Sequence, residues 1–201
     1  LVVGNPCNTN CLIARAHGGA IPADRWFAMT QLDHNRALAQ LAQKAGVPVR
    51  DVSNVIIWGN HSAKLYADAS QAKIRGQSAL EVIGDRDWID GEFLNTVRKR
   101  GAQIIEARGK SSAASAARAA LDHVRFFSRP STDGEWTSAA VVSDGSYGID
   151  EGLIASFPVR STGSGWEIVQ GLEVDTTARA GIQTSLDELV EERETVKHLL
   201  G

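Results

Sequence analysis

Two apolar runs that end at a glycine and then at polar side chains constrain this chain most. Leu1-Val2-Val3 gives way to Gly4-Asn5-Pro6, and Val55-Ile56-Ile57-Trp58 gives way to Gly59-Asn60-His61-Ser62. Both runs are rich in β-branched residues and too short for a helix, so each reads as a buried strand ended by a turn. Between them, over residues 31–45, Leu38, Leu41, Ala42 and Ala45 recur at helical spacing, with Gly46 in the stop position and Pro48 beyond. Thr30 is expected to cap that helix. A shorter helix is predicted over residues 9–16.

The texture then changes. Helices are predicted over 85–100, with Trp88, Phe93 and Val97 packed inward, from 104 to 108, and over the alanine-rich stretch 111–127. Residues 138–142, 153–159 and 166–170 read as antiparallel strands joined by turns at Asp144-Gly145 and 162–165. Residues 186–200, dense in Glu and Leu, predict a terminal amphipathic helix. This order predicts a mixed α/β fold.

Composition removes several function classes. With 201 residues, 43% of them hydrophobic, the chain is long enough for a substantial core. Lys and Arg number 21 against 24 Asp and Glu, so no basic surplus exists to neutralise a phosphate backbone, and nucleic acid is not an expected partner. No apolar run approaches the ~20 residues of a membrane span. Two cysteines, Cys7 and Cys11, make no disulfide framework and suggest a reducing, cytoplasmic compartment. The chain opens in mid-strand at Leu1 and its single Met is Met29, so it reads as the remainder of something longer.

Asn5, Asp33, Arg36 and His61 form the candidate site. Asp33 and Arg36 are spaced i, i+3 and share a helical face turned away from the apolar stripe. Alone, such a pair is a solvated ion pair. Asn5 and His61 raise the odds because each follows an apolar strand, and in parallel α/β sheets ligands collect beyond the strands' carboxyl ends. A histidine exchanges protons near neutral pH, a carboxylate on its other nitrogen fixes the tautomer, and an arginine fork matches a carboxylate. An asparagine hydrogen-bonds a hydroxyl or carbonyl oxygen without ionising. Together these suit proton transfer at an alcohol or carbonyl that carries a neighbouring carboxylate.

Other signals are weaker. Arg108-Gly109-Lys110-Ser111 resembles the tail of a phosphate-binding loop, but Ile104 stands where the motif requires glycine. Asn60-His61-Ser62 is a glycosylation sequon without other signs of secretion. The remaining histidines and the cysteines lack ligand spacing, so no metal is expected. Ser111, in a cluster with Ser112 and Ser115, is expected to cap the following helix.

The motifs resemble those of the malate dehydrogenases, in the cytosolic-type branch of the lactate/malate dehydrogenase family. The resemblance rests on Val3-Gly4-Asn5-Pro6, Leu32-Asp33-His34-Asn35-Arg36-Ala37 and Ile57-Trp58-Gly59-Asn60-His61-Ser62. It continues in order through Gly91-Glu92-Phe93, Lys99-Arg100-Gly101-Ala102, Ser111-Ser112, Ser143-Asp144-Gly145-Ser146-Tyr147-Gly148 and Glu151-Gly152-Leu153-Ile154. It implies the end of a Rossmann-type parallel sheet in residues 1–19 and an α+β substrate domain in residues 20–201. It also implies His61 as proton acceptor with Asp33 as its orienting partner, and Arg36, Asn5 and Ser111 in contact with malate or oxaloacetate. Val3, Gly4 and Asn5 would lie along the nicotinamide end of NAD.

The family's glycine-rich turn, its acidic ribose-binding residue and its mobile arginine loop have no counterpart in these residues. The resemblance therefore implies a carboxyl-terminal portion of a homodimeric enzyme, inactive when isolated. Three other readings remain: a lactate-type 2-hydroxyacid dehydrogenase, a non-catalytic assembly module, and a hydrolase using Ser115 with His61.

Overall fold

Helix α1 (Cys7–Ala16) starts right after the first turn, and α2 (Gln31–Ala45) occupies the stretch that its apolar spacing marks. The computed structural model describes residues 1–201. Gly46 closes α2 in the left-handed conformation, its N–H reaching back to the last turn, as a C-terminal glycine does. Leu41 and Ala42 are buried in a core that also receives Val97, Phe93 and Ile57, while Leu38 and Ala45 pack at its rim. Thr30 does not cap α2 with its side chain. Its hydroxyl instead lies 2.9 Å from the Ser156 hydroxyl and 3.3 Å from the Ser138 carbonyl, so tertiary bonding displaces the expected cap.

Past α2 come short strands β1 (Val52–Ser53), β2 (Ile56–Trp58), β3 (Tyr66–Asp68), β4 (Lys73–Ile74) and β5 (Gln77–Ser78). The pairs are β1 with β4, β4 with β5, and β2 with β3, all antiparallel. Only the β2 strand is legible as a hydrophobic run; two-residue strands carry no periodicity. The 55–58 run is thus not part of a parallel sheet. Parallel pairing is confined to one bridge, Val2 with Ala28, and Leu1 and Val3 are exposed rather than buried.

Short helices α3 (Ala79–Ile83) and α4 (Arg86–Trp88) lead through a π turn (Ile89–Phe93) into α5 (Leu94–Arg108). The break expected between residues 100 and 104 is absent: Gly101 lies within α5, where the packing of Val97 and Phe93 outweighs its low propensity. Helix α6 (Ala113–Phe127) has Ser112, not Ser111, at its N-cap, without a side-chain cap bond.

The larger sheet has strand order β6 (Thr137–Val142), β7 (Ile154–Ser161), β8 (Trp166–Ile168), antiparallel throughout. Strand β7 is buried along nearly its full length, and Ser156 bridges Gly59, joining this sheet to the end of β2. Helix α7 (Thr176–Thr195) covers a second core of Trp58, Phe157, Val159, Ile182, Leu186 and neighbours. It begins ten residues before the expected start, at Thr176, because Asp175 accepts from the Ala178 N–H and opens the helix there.

Candidate active site

Helix α2 and strand β2 present the site, and a buried polar network fixes one against the other. The Ser138 hydroxyl on β6 accepts from Ile57 N–H at 2.8 Å and meets His34 Nδ1 at 2.9 Å. Thr137 donates to Gln31 at 2.7 Å. His34 is a structural residue: burial pulls its pKa down to about 4, so it stays neutral. One turn of helix bearing Asp33 and Arg36 is thereby held beside the end of β2.

The turn after β2 is held from the other side. Gly59 adopts φ +80°, and a Cβ there would sit 2.3 Å from the Ser185 hydroxyl of α7. That hydroxyl accepts from Asn60 N–H at 2.8 Å. The Asn60 amide donates at 2.9 Å to both Glu188 and Glu192, and Ser62 and Thr9 donate to the same two carboxylates. Buried and saturated in this way, Asn60 is no glycan acceptor, sequon notwithstanding. Asn8 of α1 donates to the Ile154 carbonyl at 2.8 Å and accepts from His61 N–H at 3.1 Å.

His61 Nδ1 bonds directly to Asp33 Oδ2, and Arg36 reaches the other carboxylate oxygen, Oδ1, at 3.4 Å. The Asp33 side chain is 2% exposed, those of Arg36 and His61 16% and 17%. The solvated ion pair that Asp33 and Arg36 alone suggest is therefore a buried carboxylate shared by an imidazole and a guanidinium. Burial disfavours the imidazolium, but the charge of Asp33 and its hydrogen bond outweigh that, against a small opposing push from Arg36. The His61 pKa is raised above the ordinary 6.5. With Nδ1–H given to the carboxylate, Nε2 is the free acceptor.

Val3, Asn5, Arg36, His61 and Ser111 line one cleft of about 280 Å³, with Met29, Ile104 and Ile105 as apolar wall. Asp33 sits behind it. Gly4, between two lining residues, accepts from the Asn10 amide through its carbonyl at 2.9 Å. Ser115 faces a different cleft on the outer side of Arg36, and its hydroxyl takes a bond from Ser112, so no Ser115–His61 pair is formed. No group of three or more His, Cys, Asp or Glu side chains is placed to hold a metal. Burial raises the Cys7 and Cys11 thiols to about 12 and about 11, which leaves them unreactive. No helix is long and apolar enough to cross a membrane.

The profile of the lactate/malate dehydrogenase α/β C-terminal domain matches residues 30–200. The chain belongs to the lactate/malate dehydrogenase family. A malate dehydrogenase of Naegleria fowleri is 46% identical over 98% of this chain and 60% of its own, with a TM-score of 0.92. A lactate dehydrogenase of Trichomonas vaginalis, solved with NADH and oxamate, is 33% identical over 99% of this chain and 62% of its own, also at 0.92. A Plasmodium falciparum malate dehydrogenase solved with NADH, 19% identical with a TM-score of 0.83, shares the fold. The chain thus spans about three fifths of the length of these dehydrogenases. The α/β fold of this family's C-terminal domain is the one described above.

Proposed function

We propose that these residues are the substrate-binding and proton-transfer part of an NAD-dependent malate dehydrogenase, which interconverts malate and oxaloacetate. The observation that carries the proposal is the buried carboxylate of Asp33, held on His61 Nδ1 by one oxygen and on Arg36 by the other, behind a cleft of metabolite size. Residues 1–19 would be the end of the nucleotide-binding domain and residues 20–201 the substrate domain. The complete enzyme would be a cytoplasmic homodimer, and residues 1–201 alone would not turn over substrate.

In the oxidising direction the His61 Nε2 lone pair accepts the substrate's hydroxyl proton. Asp33 keeps the imidazole in the tautomer that leaves Nε2 free and stabilises the imidazolium that results. Arg36 presents a planar fork to the carboxylate next to the reacting carbon, fixing which face of that carbon meets the cofactor. Asn5 bonds the reacting oxygen and Ser111 closes the cleft beside it.

The mixed lining of the cleft, apolar Val3, Met29, Ile104 and Ile105 together with polar Asn5 and Ser111, fits a flat ring bearing one amide. Val3, Gly4, Asn5 and Ser111 would hold that ring, the nicotinamide of NAD, whose chemistry when bound is to take or give a hydride. The Trichomonas relative, solved with NADH and 33% identical, supports NAD(H) as the cofactor.

The 46% identity to a malate dehydrogenase favours malate over lactate, whereas the 33% identity to a lactate dehydrogenase favours the second reading, a lactate-type activity. NADH consumption by the complete enzyme with oxaloacetate and with pyruvate separates them. Preference for oxaloacetate by a hundredfold or more in kcat/KM is the expected result, and preference for pyruvate overturns it. In the same assay His61→Asn is expected to abolish turnover, and unchanged turnover would return the chain to an assembly role.

A further inference from the structure

One oxygen atom pins the two residues that flank His61. Asn60 Nδ2 donates to Glu188 Oε2 at 2.9 Å, and the Ser62 hydroxyl donates to that same oxygen. Asn60 is buried and the Glu188 side chain largely so, which shields these bonds from water. The second hydrogen of the Asn60 amide goes to Glu192 Oε1 at 2.9 Å, and the other oxygen of Glu192 accepts from Thr9 on α1. Ser185, Glu188 and Glu192 are spaced i, i+3, i+7 and form one stripe of α7, next to the Ile182, Leu186 and Leu189 stripe that fills the core.

A carboxylate only accepts, so the two glutamates decide which way the Asn60 amide faces, nitrogen towards α7. The Ser62 hydroxyl is committed as well, since it also accepts from Lys64 N–H at 3.0 Å. The backbone of the turn has anchors of its own: Gly59 pairs with Ser156, Asn60 N–H meets Ser185, and His61 N–H meets Asn8. Those bonds keep the turn folded without Glu188. What Glu188 adds is a side-chain hold on both neighbours of His61, from a different helix than the one whose Asp33 holds the ring. Proton transfer needs Nε2 within about 2.6–3.2 Å of the hydroxyl it serves, so a small drift of the turn matters.

We propose that Glu188 is a positioning residue for proton transfer: it grips Asn60 and Ser62 together and so sets where the His61 imidazole stands relative to Asp33 and the reacting oxygen. Glu192 extends the grip to α1, the helix that starts just after Asn5. The kinetic part of this rests on the dehydrogenase reading above; the placement of the ring does not.

The experiment compares Glu188→Ala and Glu188→Gln with the wild type in the complete enzyme, with thermal melts to establish that each variant folds. Glutamine keeps an oxygen that accepts from both Asn60 and Ser62 but carries no charge. With saturating NADH and varied oxaloacetate, Glu188→Ala should lower kcat about 10–100-fold, the scale of an ångström-sized misplacement. KM should change little, because Arg36 stands on α2, outside the grip. Glu188→Gln should return kcat to near the wild-type value. A second readout needs no turnover: the downfield proton resonance of the His61 Nδ1–H bonded to Asp33, assigned by its absence in His61→Asn. It should shift or vanish in Glu188→Ala and stay in place in Glu188→Gln. Where the alanine variant fails to fold, Glu188→Asp, one methylene short of both partners, is read in its place.

Unchanged kcat and an unmoved resonance in Glu188→Ala, or a loss confined to KM or to thermal stability, overturns the proposal. Equal losses in the alanine and glutamine variants overturn it too, since the charge and not the shared bond would then be what His61 requires. A resonance lost in Glu188→Ala and kept in Glu188→Gln, in an enzyme that consumes no NADH with oxaloacetate or pyruvate, would retain the positioning role and remove the dehydrogenase reading instead.

Discussion

Gly59→Ala tests how the turn that carries His61 is built. Gly59 sits at φ +80°, where an L side chain strains the backbone by roughly 1–2 kcal/mol. The added methyl also lands 2.3 Å from Ser185 Oγ and 2.6 Å from Ser185 Cβ, a contact that neither group can escape without moving α7 or the turn. Overpacking of this kind costs about 1–3 kcal/mol. If the turn moves instead, the 2.8 Å bond from Asn60 N–H to Ser185 is lost, another 0.5–1.5 kcal/mol or so. A total near 3–4 kcal/mol lowers the thermal midpoint of the complete enzyme by roughly 6–15 °C. His61 is two residues on, so kcat/KM should fall by at least tenfold even where the protein remains folded. Gly59→Ala with Ser185→Gly separates the contributions: the steric part is relieved, and only the backbone strain and the missing hydroxyl remain. A single variant within 0.5 kcal/mol of wild type, or a double variant no more stable than the single, would refute the claim that Gly59 is required by its neighbour on α7.

Asp33→Asn should lower kcat by roughly 10³–10⁴-fold, the magnitude that losing the carboxylate of an Asp–His pair carries. The acid limb of malate oxidation should also move to lower pH. Asp33 raises the His61 pKa, the base must be neutral to accept a proton, and without Asp33 the ring stays neutral further into acid; an unmoved limb would mean that His61 is not the titrating base. His123 is buried between Phe27 and Phe127 with Nδ1 unpartnered, and burial holds its pKa near 4. Its folded pKa lies below the unfolded 6.5, so the unfolded chain binds the extra proton between those values and stability falls as pH drops through that window. His123→Phe should therefore make urea unfolding between pH 6.5 and 4 less acid-sensitive by about 1.4 kcal/mol per pH unit, and an unchanged slope would place the acid sensitivity elsewhere.

What was legible in the sequence is what is local in it. Asp33 and Arg36 are one helical turn apart, the 31–45 helix has an apolar stripe and a glycine stop, and His61 follows a four-residue apolar run, so each could be found from near neighbours. The partners that hold them could not. Asn8 lies 53 residues from the His61 N–H it binds, and Ser185 and Glu188 lie 125 and 128 residues from Asn60. Glu188 and Glu192, one turn apart on α7, look like solvent charges, because nothing within a window of residues shows that a turn will donate to both. The same limit explains the strands: β2 was visible by its own hydrophobicity, but whether its neighbour runs parallel or antiparallel depends on β3, whose three residues form no pattern.

The proposed site needs a carboxylate that is deeply buried yet never alone, and the fold solves that by making two demands on one group. Asp33 is 1% exposed, a position in which an unpaired charge would cost several kcal/mol. His61 takes one oxygen and Arg36 the other, so the two groups proposed to touch substrate are also the two that make the buried carboxylate tolerable. Replacing either one should therefore disturb the other's protonation or position as well as its own contact. Double-variant cycles between His61→Asn and Arg36→Gln are thus expected to be strongly non-additive in kcat/KM. Additivity within twofold would mean that the shared carboxylate transmits nothing, and that each side chain meets the substrate independently.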